Sequence, residues 1–397
     1  MGMIGNDLRL VLAAGKMLLL LGEYAGALAV ARRIIGLENG SVLPVCDESV
    51  WRSEAHVLAA NALLELGDLH AALAEATTAR RSGSSAAGIL SRCKLACGDP
   101  DGFIESCRAP AESTLRMYGS PEWDGAPLAG RSIELQTVAG LGDTIQLVRF
   151  ARFLRTAGAS RIVMRYRPEH VSLQPLFAAQ PYIDGSTSDD ATDVNCTLAR
   201  LPELLSVGRT VAIDGHPYLE APPHRISETI KALPRPRVAV IWRCGEGRGG
   251  AYTHAMALRS MPPRFLAPAW QLPGVSWISL QKEKGPSAEV SKLIKRYGVL
   301  DLSQLLTDFA ATAAAMRACD LVITVDTSTA HLAGALGVPT WILLHDRHEW
   351  RWYGPTPATT WWYSNVRLFR RSRGDGWDAA IESVVSQLAH FRDESPP

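Results

Sequence analysis

A chain of 397 residues is long enough for two or three domains, each with a core of its own. Its 41 Lys and Arg nearly balance 40 Asp and Glu, and the net charge of +1 argues against a strongly basic nucleic-acid surface. Apolar residues make up 47%, an ordinary share for a globular protein.

The first apolar stretch, Leu8 to Leu21, carries Arg9 and Lys16. It is too short and too charged to cross a bilayer. No small-residue cleavage site follows an apolar core, which argues against a secretory signal. No other stretch approaches spanning length, so a soluble, cytoplasmic protein without an integral membrane segment is expected. Seven cysteines (46, 93, 97, 107, 196, 244 and 319) are scattered and mostly sit in apolar runs. They are expected to be buried free thiols, suited to a reducing compartment. Cys93 and Cys97 are four apart, but no partnered His or second pair accompanies them, so no metal site is expected.

Residues 1–112 are rich in Ala and Leu and predict helices. Three phrases recur, around Gly22-Glu-Tyr24-Ala25-Gly-Ala27, Gly67-Asp-Leu69-His-Ala71-Ala72 and, more weakly, Gly98-Asp-Pro-Asp-Gly-Phe103. In each, an apolar helix ends near a glycine and a second amphipathic segment follows. That is the helix–turn–helix rhythm of stacked repeats, with small residues at 25, 27, 71 and 72 allowing paired helices to approach closely. A plain helical bundle is the alternative. Either arrangement suits the docking of a protein or peptide better than chemistry.

Pro110, Pro121, Gly125, Pro127 and Gly130 mark a linker. Ser132 to Val138 predicts a strand, followed by the turn Ala139-Gly140-Leu-Gly142-Asp143-Thr144. Ile145 to Ala157 predicts an amphipathic helix with Ile145, Val148, Ala151 and Leu154 on one face. A strand over 162–167 and a helix over 168–179 complete a βαβ start and imply a parallel sheet. Residues 193–219 carry only short apolar pieces.

Prolines at 222, 223, 234 and 236 mark a second boundary. Strands are expected at 238–242 and 275–281. The stretch 300–306 then leads to an Ala-rich helix through Phe309 and Met316. The clearest element follows: Leu321 to Val325 is a continuous apolar run, then Asp326-Thr327-Ser328-Thr329 opens a short helix. Gly337 closes that helix, Pro339 follows, and 341–344 begins another strand. The expected domains are 1–112 (helical repeats), 113–230 and 231–375 (α/β), and 376–397, a final helix crossing back to the first sheet.

Two α/β domains imply a cleft between strand carboxyl ends, lined by turns 140–144, 243–250 and 326–331. Gly140 and Gly142 remove side chains from the first turn, and Asp143 at the helix start can act as a general base toward an acceptor hydroxyl. It can equally serve as a helix cap. Thr327, Ser328 and Thr329 offer hydroxyls and backbone N–H groups to a phosphate, or cap the helix themselves. His331, four residues after Thr327, shares that face, while Asp326 at a strand end wants hydrogen-bond donors. Arg243, Arg248, Arg259 and Lys282 are cations available to a diphosphate. Neither a Walker loop nor a strong GxGxxG fingerprint is present. Glu349-Trp-Arg351-Trp-Tyr353 and Trp361-Trp-Tyr363 concentrate aromatics on which sugars or bases can stack, or which pack a core.

Together, Gly140-Leu-Gly-Asp143-Thr144-Ile-Gln146, Leu280-Gln281, the run Asp320 to Gly334 and Glu349-Trp-Arg-Trp352 resemble the bacterial tetratricopeptide-repeat glycosyltransferases with a heptosyltransferase-like module. The resemblance covers about residues 130–385. It implies a GT-B fold of two Rossmann-like domains facing a cleft, after a repeat region. It also implies inverting, metal-independent sugar transfer from a nucleotide-diphosphate sugar, with no cofactor. By this resemblance Asp143 is the base, and Asp326, Thr327 and His331 bind the donor. From their own place in the turns, Ser328, Thr329, Gln281, Arg243 and Arg248 are expected on the donor side with them, and Gly140, Gly142, Thr144 and Gln146 on the acceptor side. The family usually has a Lys after the first strand of the second domain; this chain has none there, and Arg243, Arg248 and Arg259 are the cations at hand. The acceptor is expected to be a protein such as flagellin, or a surface-glycan intermediate, docked by the repeats. A non-catalytic scaffold and a sugar-nucleotide epimerase are the competing readings.

Overall fold

The computed structural model describes residues 8–37, 48–82, 86–108, 120–138, 140–186, 191–209, 211, 213–245, 256–282, 287–346, 348–372 and 376–394. Two units divide the chain. One takes 1–116, 206–212 and 349–354, and the other takes the rest.

The first unit is helical: α1 Leu8–Leu21, α2 Tyr24–Ile35, α3 Glu48–Leu66, α4 Leu69–Ser82, α5 Ala87–Ala96 and α6 Gly102–Arg108. The three glycine phrases fall at the α1–α2, α3–α4 and α5–α6 turns. Gly22, Gly67 and Gly98 have φ of 83°, 83° and 79°, a left-handed conformation that glycine adopts without a Cβ clash. The next residue closes each turn the same way: Glu23, Asp68 and Asp99 donate N–H to Leu18, Leu63 and Lys94 carbonyls at 2.8, 3.0 and 2.8 Å. The sequence rhythm is therefore a repeated geometry. Ala27 and Ala72 are fully buried at the helix contacts, whereas Ala25 is exposed and Ala71 half-buried, so only one alanine of each pair serves the close approach expected of both.

Glu349–Gly354 belongs to this helical unit. Trp350 meets Phe103 edge-on with ring centroids 6.1 Å apart, and the Tyr353 hydroxyl donates to the Leu64 carbonyl at 2.8 Å. Trp352 is fully buried. Trp350 and Trp352 therefore fill a helical core, where a sugar or base cannot stack on them, and Tyr353 is half-buried beside them.

The second unit holds two parallel sheets. In the first, β1 Ser132–Gln136, β2 Arg161–Arg165, β3 Gly185–Ser186 and β4 Val194–Thr197 run in the order β3-β2-β1-β4. After β1 the chain forms helix α7, Leu141–Leu147, which tightens into a 3-10 segment over Val148–Leu154. Ile145, Val148, Ala151 and Leu154 are all fully buried, as their spacing predicts. Strand β4 was hidden in the sequence because Val194-Asn-Cys-Thr is short and half polar.

The second sheet is built from β5 Arg237–Ile241, β6 Ser276–Ser279, β7 Leu300–Asp301, β8 Leu321–Val325, β9 Thr340–Leu344 and β10 Val366–Arg370. Its order is β10-β9-β8-β5-β6-β7. The chain builds outward from β5 through β6 to β7, then returns to the other side of β5 with β8. That reversal makes β5 and β8 the switch point, where a crevice opens at the strand carboxyl ends. All five residues of β8 are buried, as a strand covered on both faces requires.

The last helix, Asp378–Glu394, corrects an expectation. It packs on the second sheet, not the first. Ala380, Ile381, Val384 and Leu388 join the core of Val238, Leu321 and Trp341, and Phe391 meets the Trp341 ring at 6.0 Å. The apolar stripe finds its partner on the nearest sheet, directly after β10.

Candidate functional site

At the carboxyl end of β1, the Thr144 hydroxyl donates to the Val138 carbonyl at 2.8 Å and accepts the Val138 N–H at 3.2 Å. It ties α7 to the strand. The Asp143 carboxylate reaches back to accept the Gly140 N–H at 3.0 Å. This is one half of a capping box; Gly140 has no side chain to supply the other half. Asp143 itself stays half-buried at the turn. Gln146 is buried one turn further on, and its carbonyl accepts from Arg149 Nε at 2.9 Å.

At the switch point of the second sheet, Asp326 is buried at the end of β8. Arg259 Nε lies 3.5 Å from its Oδ2, and its backbone carbonyl accepts from the Cys244 thiol at 3.0 Å. Cys244 thus bridges the ends of β5 and β8. Burial first, then the Asp326 charge, pushes its thiol up to about 12, which leaves it inert as a nucleophile at neutral pH. Thr327 is the N-cap of the helix Ser328–Leu336, yet its side chain makes no cap hydrogen bond. The Thr329 hydroxyl lies 3.2 Å from that of Thr324. The helix ends at Gly337, with φ of 72°.

Gln281 closes the neighbouring turn. Its Oε1 accepts from the Trp242 and Arg243 N–H groups at 3.1 and 2.9 Å, and its Nε2 donates to the Arg243 and Lys282 carbonyls at 3.3 and 3.4 Å. With both ends engaged, Gln281 braces the turn and has no polar atom to spare for a ligand. Arg243 is exposed at the end of β5, and Lys282 Nζ donates to the Leu306 carbonyl at 2.5 Å. Arg248 lies outside the described residues.

The two turns meet. A Cβ placed on Gly142 would lie 2.8 Å from His331 Cδ2, 3.4 Å from its Nε2 and 3.6 Å from Ser328 Cα. Glycine is needed here for close approach, whatever its φ. The contact brings the Asp143 turn against the first turn of the Ser328–Leu336 helix, so carboxyl ends of both sheets face one seam. The turn that carries Asp143 and the helix start that carries Ser328 and His331 are brought together there, and Asp326, paired with Arg259, precedes that helix at the end of β8.

Behind the seam lies a cluster that sequence reasoning missed. Arg149 is buried; its Nη1 donates to the Trp362 carbonyl at 3.0 Å and its Nη2 to the Tyr218 hydroxyl at 3.3 Å. Its guanidinium carbon sits 4.5 and 4.8 Å from the Tyr218 and Tyr363 ring centroids. Tyr218 donates to the Ile145 carbonyl at 2.9 Å, and the Tyr363 hydroxyl lies 2.9 Å from His331 Nδ1. Arg149 sits inside an amphipathic pattern and Tyr218 in a segment without periodicity, so neither carried a sequence signal. Tyr363 lay in the aromatic pair already noted, with no hint of its partner.

No protein-family model matches the sequence. Protein FlbA of Caulobacter vibrioides is 26% identical over 393 aligned residues, covering 85% of this chain and 62% of FlbA. The chain thus spans less than two thirds of that relative's length. Among solved structures, a glycosyl transferase family 9 protein from Veillonella parvula superposes with a TM-score of 0.50 at 14% identity, over 68% of this chain and all of that one. This is the GT-B fold. The ADP-heptose lipopolysaccharide heptosyltransferase II of E. coli matches at a TM-score of 0.46 and 14% identity, over 66% of this chain and 99% of its own. At such identities the likeness is one of fold. Among the described residues, no helix is long and apolar enough to cross a membrane.

Proposed function

We propose that this chain is a glycosyltransferase moving a sugar from a nucleotide-diphosphate sugar to a hydroxyl acceptor, with inversion and without a metal. The observation that carries the reading is the seam at Gly142, where the turn that carries Asp143 meets the Ser328–His331 turn of the other half. In this reading Asp143 takes the acceptor proton as the oxygen bonds to the anomeric carbon. The bond from that carbon to the phosphate oxygen breaks on the opposite face, and the nucleoside diphosphate leaves. Developing negative charge is met by the Ser328 and Thr329 N–H groups at the start of the Ser328–Leu336 helix, to which the Thr327 side chain makes no cap, and by a cation. Arg259 is the cation best placed for that role, since it already stands beside Asp326 at the switch point. Arg243 is the second choice. The helical unit would dock the acceptor, a protein or a glycan intermediate. A cytoplasmic location suits the free thiols Cys93, Cys97, Cys196, Cys244 and Cys319.

Titration with UDP-, GDP- and ADP-sugars tests donor binding, and mass spectrometry of candidate acceptors tests transfer. Asp143→Asn is expected to lower transfer by at least ~100-fold while leaving donor affinity within about threefold. Asn can still accept the Gly140 N–H, so the helix start survives and only the base is lost. Full transfer by the Asn variant would remove Asp143 from the mechanism.

A non-catalytic scaffold is the second reading. What favours it is that Asp143 and Gln281 already serve the turns that hold them. Failure to bind any nucleotide sugar in the titration, with EDTA and added Mg2+ making no difference, would leave the scaffold standing.

A further inference from the structure

The hydrogen bonds behind the seam fix where protons sit. The Tyr218 hydroxyl spends its proton on the Ile145 carbonyl at 2.9 Å and accepts from Arg149 Nη2 at 3.3 Å. The Arg149 guanidinium carbon stands 4.8 Å from the centroid of the Tyr363 ring. Acceptors near the Tyr363 hydroxyl proton are the Tyr218 oxygen at 3.5 Å and His331 Nδ1 at 2.9 Å. The shorter contact lies inside the normal hydrogen-bond range and the longer sits at its edge, so the proton goes to His331. A neutral imidazole that accepts at Nδ1 carries its proton on Nε2. That nitrogen is on the ring edge facing Gly142, 3.4 Å from where a Cβ there would stand.

The Tyr363 ring has no freedom to choose otherwise. A Cβ on Gly334 would lie 2.5 to 2.9 Å from three atoms of the ring, which therefore packs directly on the helix backbone one turn past His331. From the other side, the Arg149 cation is held between the two tyrosine rings. Its hydrogen-bond acceptors among the described residues are carbonyls and tyrosine hydroxyls. Burying a guanidinium without a carboxylate is costly, and planar aromatic faces with fixed acceptors are one of the few settings that offset it.

We propose that Tyr363, braced by Arg149, is a positioning residue that fixes His331 as its Nε2–H tautomer and presents that N–H at the seam between the Asp143 and Ser328 turns. The tautomer stands on this geometry alone. Its consequence rests on the glycosyltransferase reading: the N–H becomes a donor for an anionic oxygen of the nucleoside diphosphate, and His331 is not the base.

The test is a long-range 1H–15N correlation on the full chain labelled with 15N-histidine, the His331 signals being assigned by their loss in His331→Gln. At neutral pH the wild type is expected to show the Nε2–H pattern. Tyr363→Phe should convert it to the Nδ1–H form or to a mixture, and Tyr218→Phe should leave it unchanged. An Nδ1–H pattern in the wild type overturns the proposal without any variant, so a Tyr363→Phe chain that fails to fold does not protect it. An unchanged pattern in folded Tyr363→Phe overturns it too. ADP, UDP and GDP are then titrated separately, and the one that binds is expected to bind Tyr363→Phe about tenfold more weakly. If none binds the wild type, the functional reading fails while the tautomer result stands.

Discussion

At Gly142 one absent methyl group lets two turns touch. The His331 ring occupies the space a Cβ would need, at 2.8 Å, and the backbone of Ser328 closes the other side. Gly142→Ala is expected to cost about 1–3 kcal/mol, because a ring held at Nδ1 by Tyr363 cannot swing away freely. Urea unfolding measures this, and a loss under ~0.3 kcal/mol would mean the seam yields easily. Asp143 and His331 were both legible as chemistry-bearing residues at element starts. What the sequence left open was whether Asp143 caps its helix or faces a ligand. It caps through the Gly140 N–H, and it stands next to Gly142, whose backbone meets His331 at the seam. Gln281 is the opposite case. It follows a strand as a donor-binding residue would, but the turn beside it consumes all its hydrogen-bonding capacity.

Among the elements, the helical pairs and the β9–β10 ends each invite a test. Gly67 has φ of 83° and open space where a Cβ would go, so Gly67→Ala meets backbone strain alone. The expected cost is about 1–2 kcal/mol, and Gly67→Asn should cost less because Asn tolerates the left-handed region. Equal stability of all three forms by thermal unfolding would mean the turn relaxes to another conformation. At the sheet edge, Arg370 Nη1 donates to His348 Nε2 at 2.6 Å. Burial first, and then the Arg370 charge, lower the His348 pKa from 6.5 to about 3. The folded state therefore holds the imidazole neutral while the unfolded state takes up a proton below about pH 6.5. Stability from this group is complete above that pH and declines as pH falls toward about 3, at no more than ~1.4 kcal/mol per pH unit. His348→Gln should flatten that part of the stability–pH curve between pH 6.5 and 4.5, measured by urea midpoints. A curve just as steep in the variant would assign the loss to other groups.

On the scale of the whole molecule, the helical unit is discontinuous in sequence. Trp350, Trp352 and Tyr353 are encoded after β9 but belong with α3, α5 and α6. A chain starting at Met117 would leave these rings without the helices that bury them. It is expected to be insoluble or aggregated, and replacing Trp350 and Trp352 by Ser in that shortened chain should recover soluble protein. A soluble, monomeric Met117–Pro397 chain on size-exclusion chromatography, with no such replacement, would show that the rings find cover elsewhere.

The sequence by itself determined the periodic parts of this protein. Alternating glycine turns, an apolar β8 and the face of Ile145, Val148, Ala151 and Leu154 are local patterns, because burial on a helix or strand repeats with the backbone. It also determined that Asp143 stands at a helix start and that Asp326 to His331 run from a strand end into one, where backbone N–H groups collect. Tertiary structure alone decided which sheet the last helix covers, which unit the Trp350 loop joins, and that Tyr363, packed against Arg149 and Tyr218, meets His331. Those are contacts between residues up to 289 positions apart, fixed by ring shape and hydrogen-bond direction, and no local period encodes them.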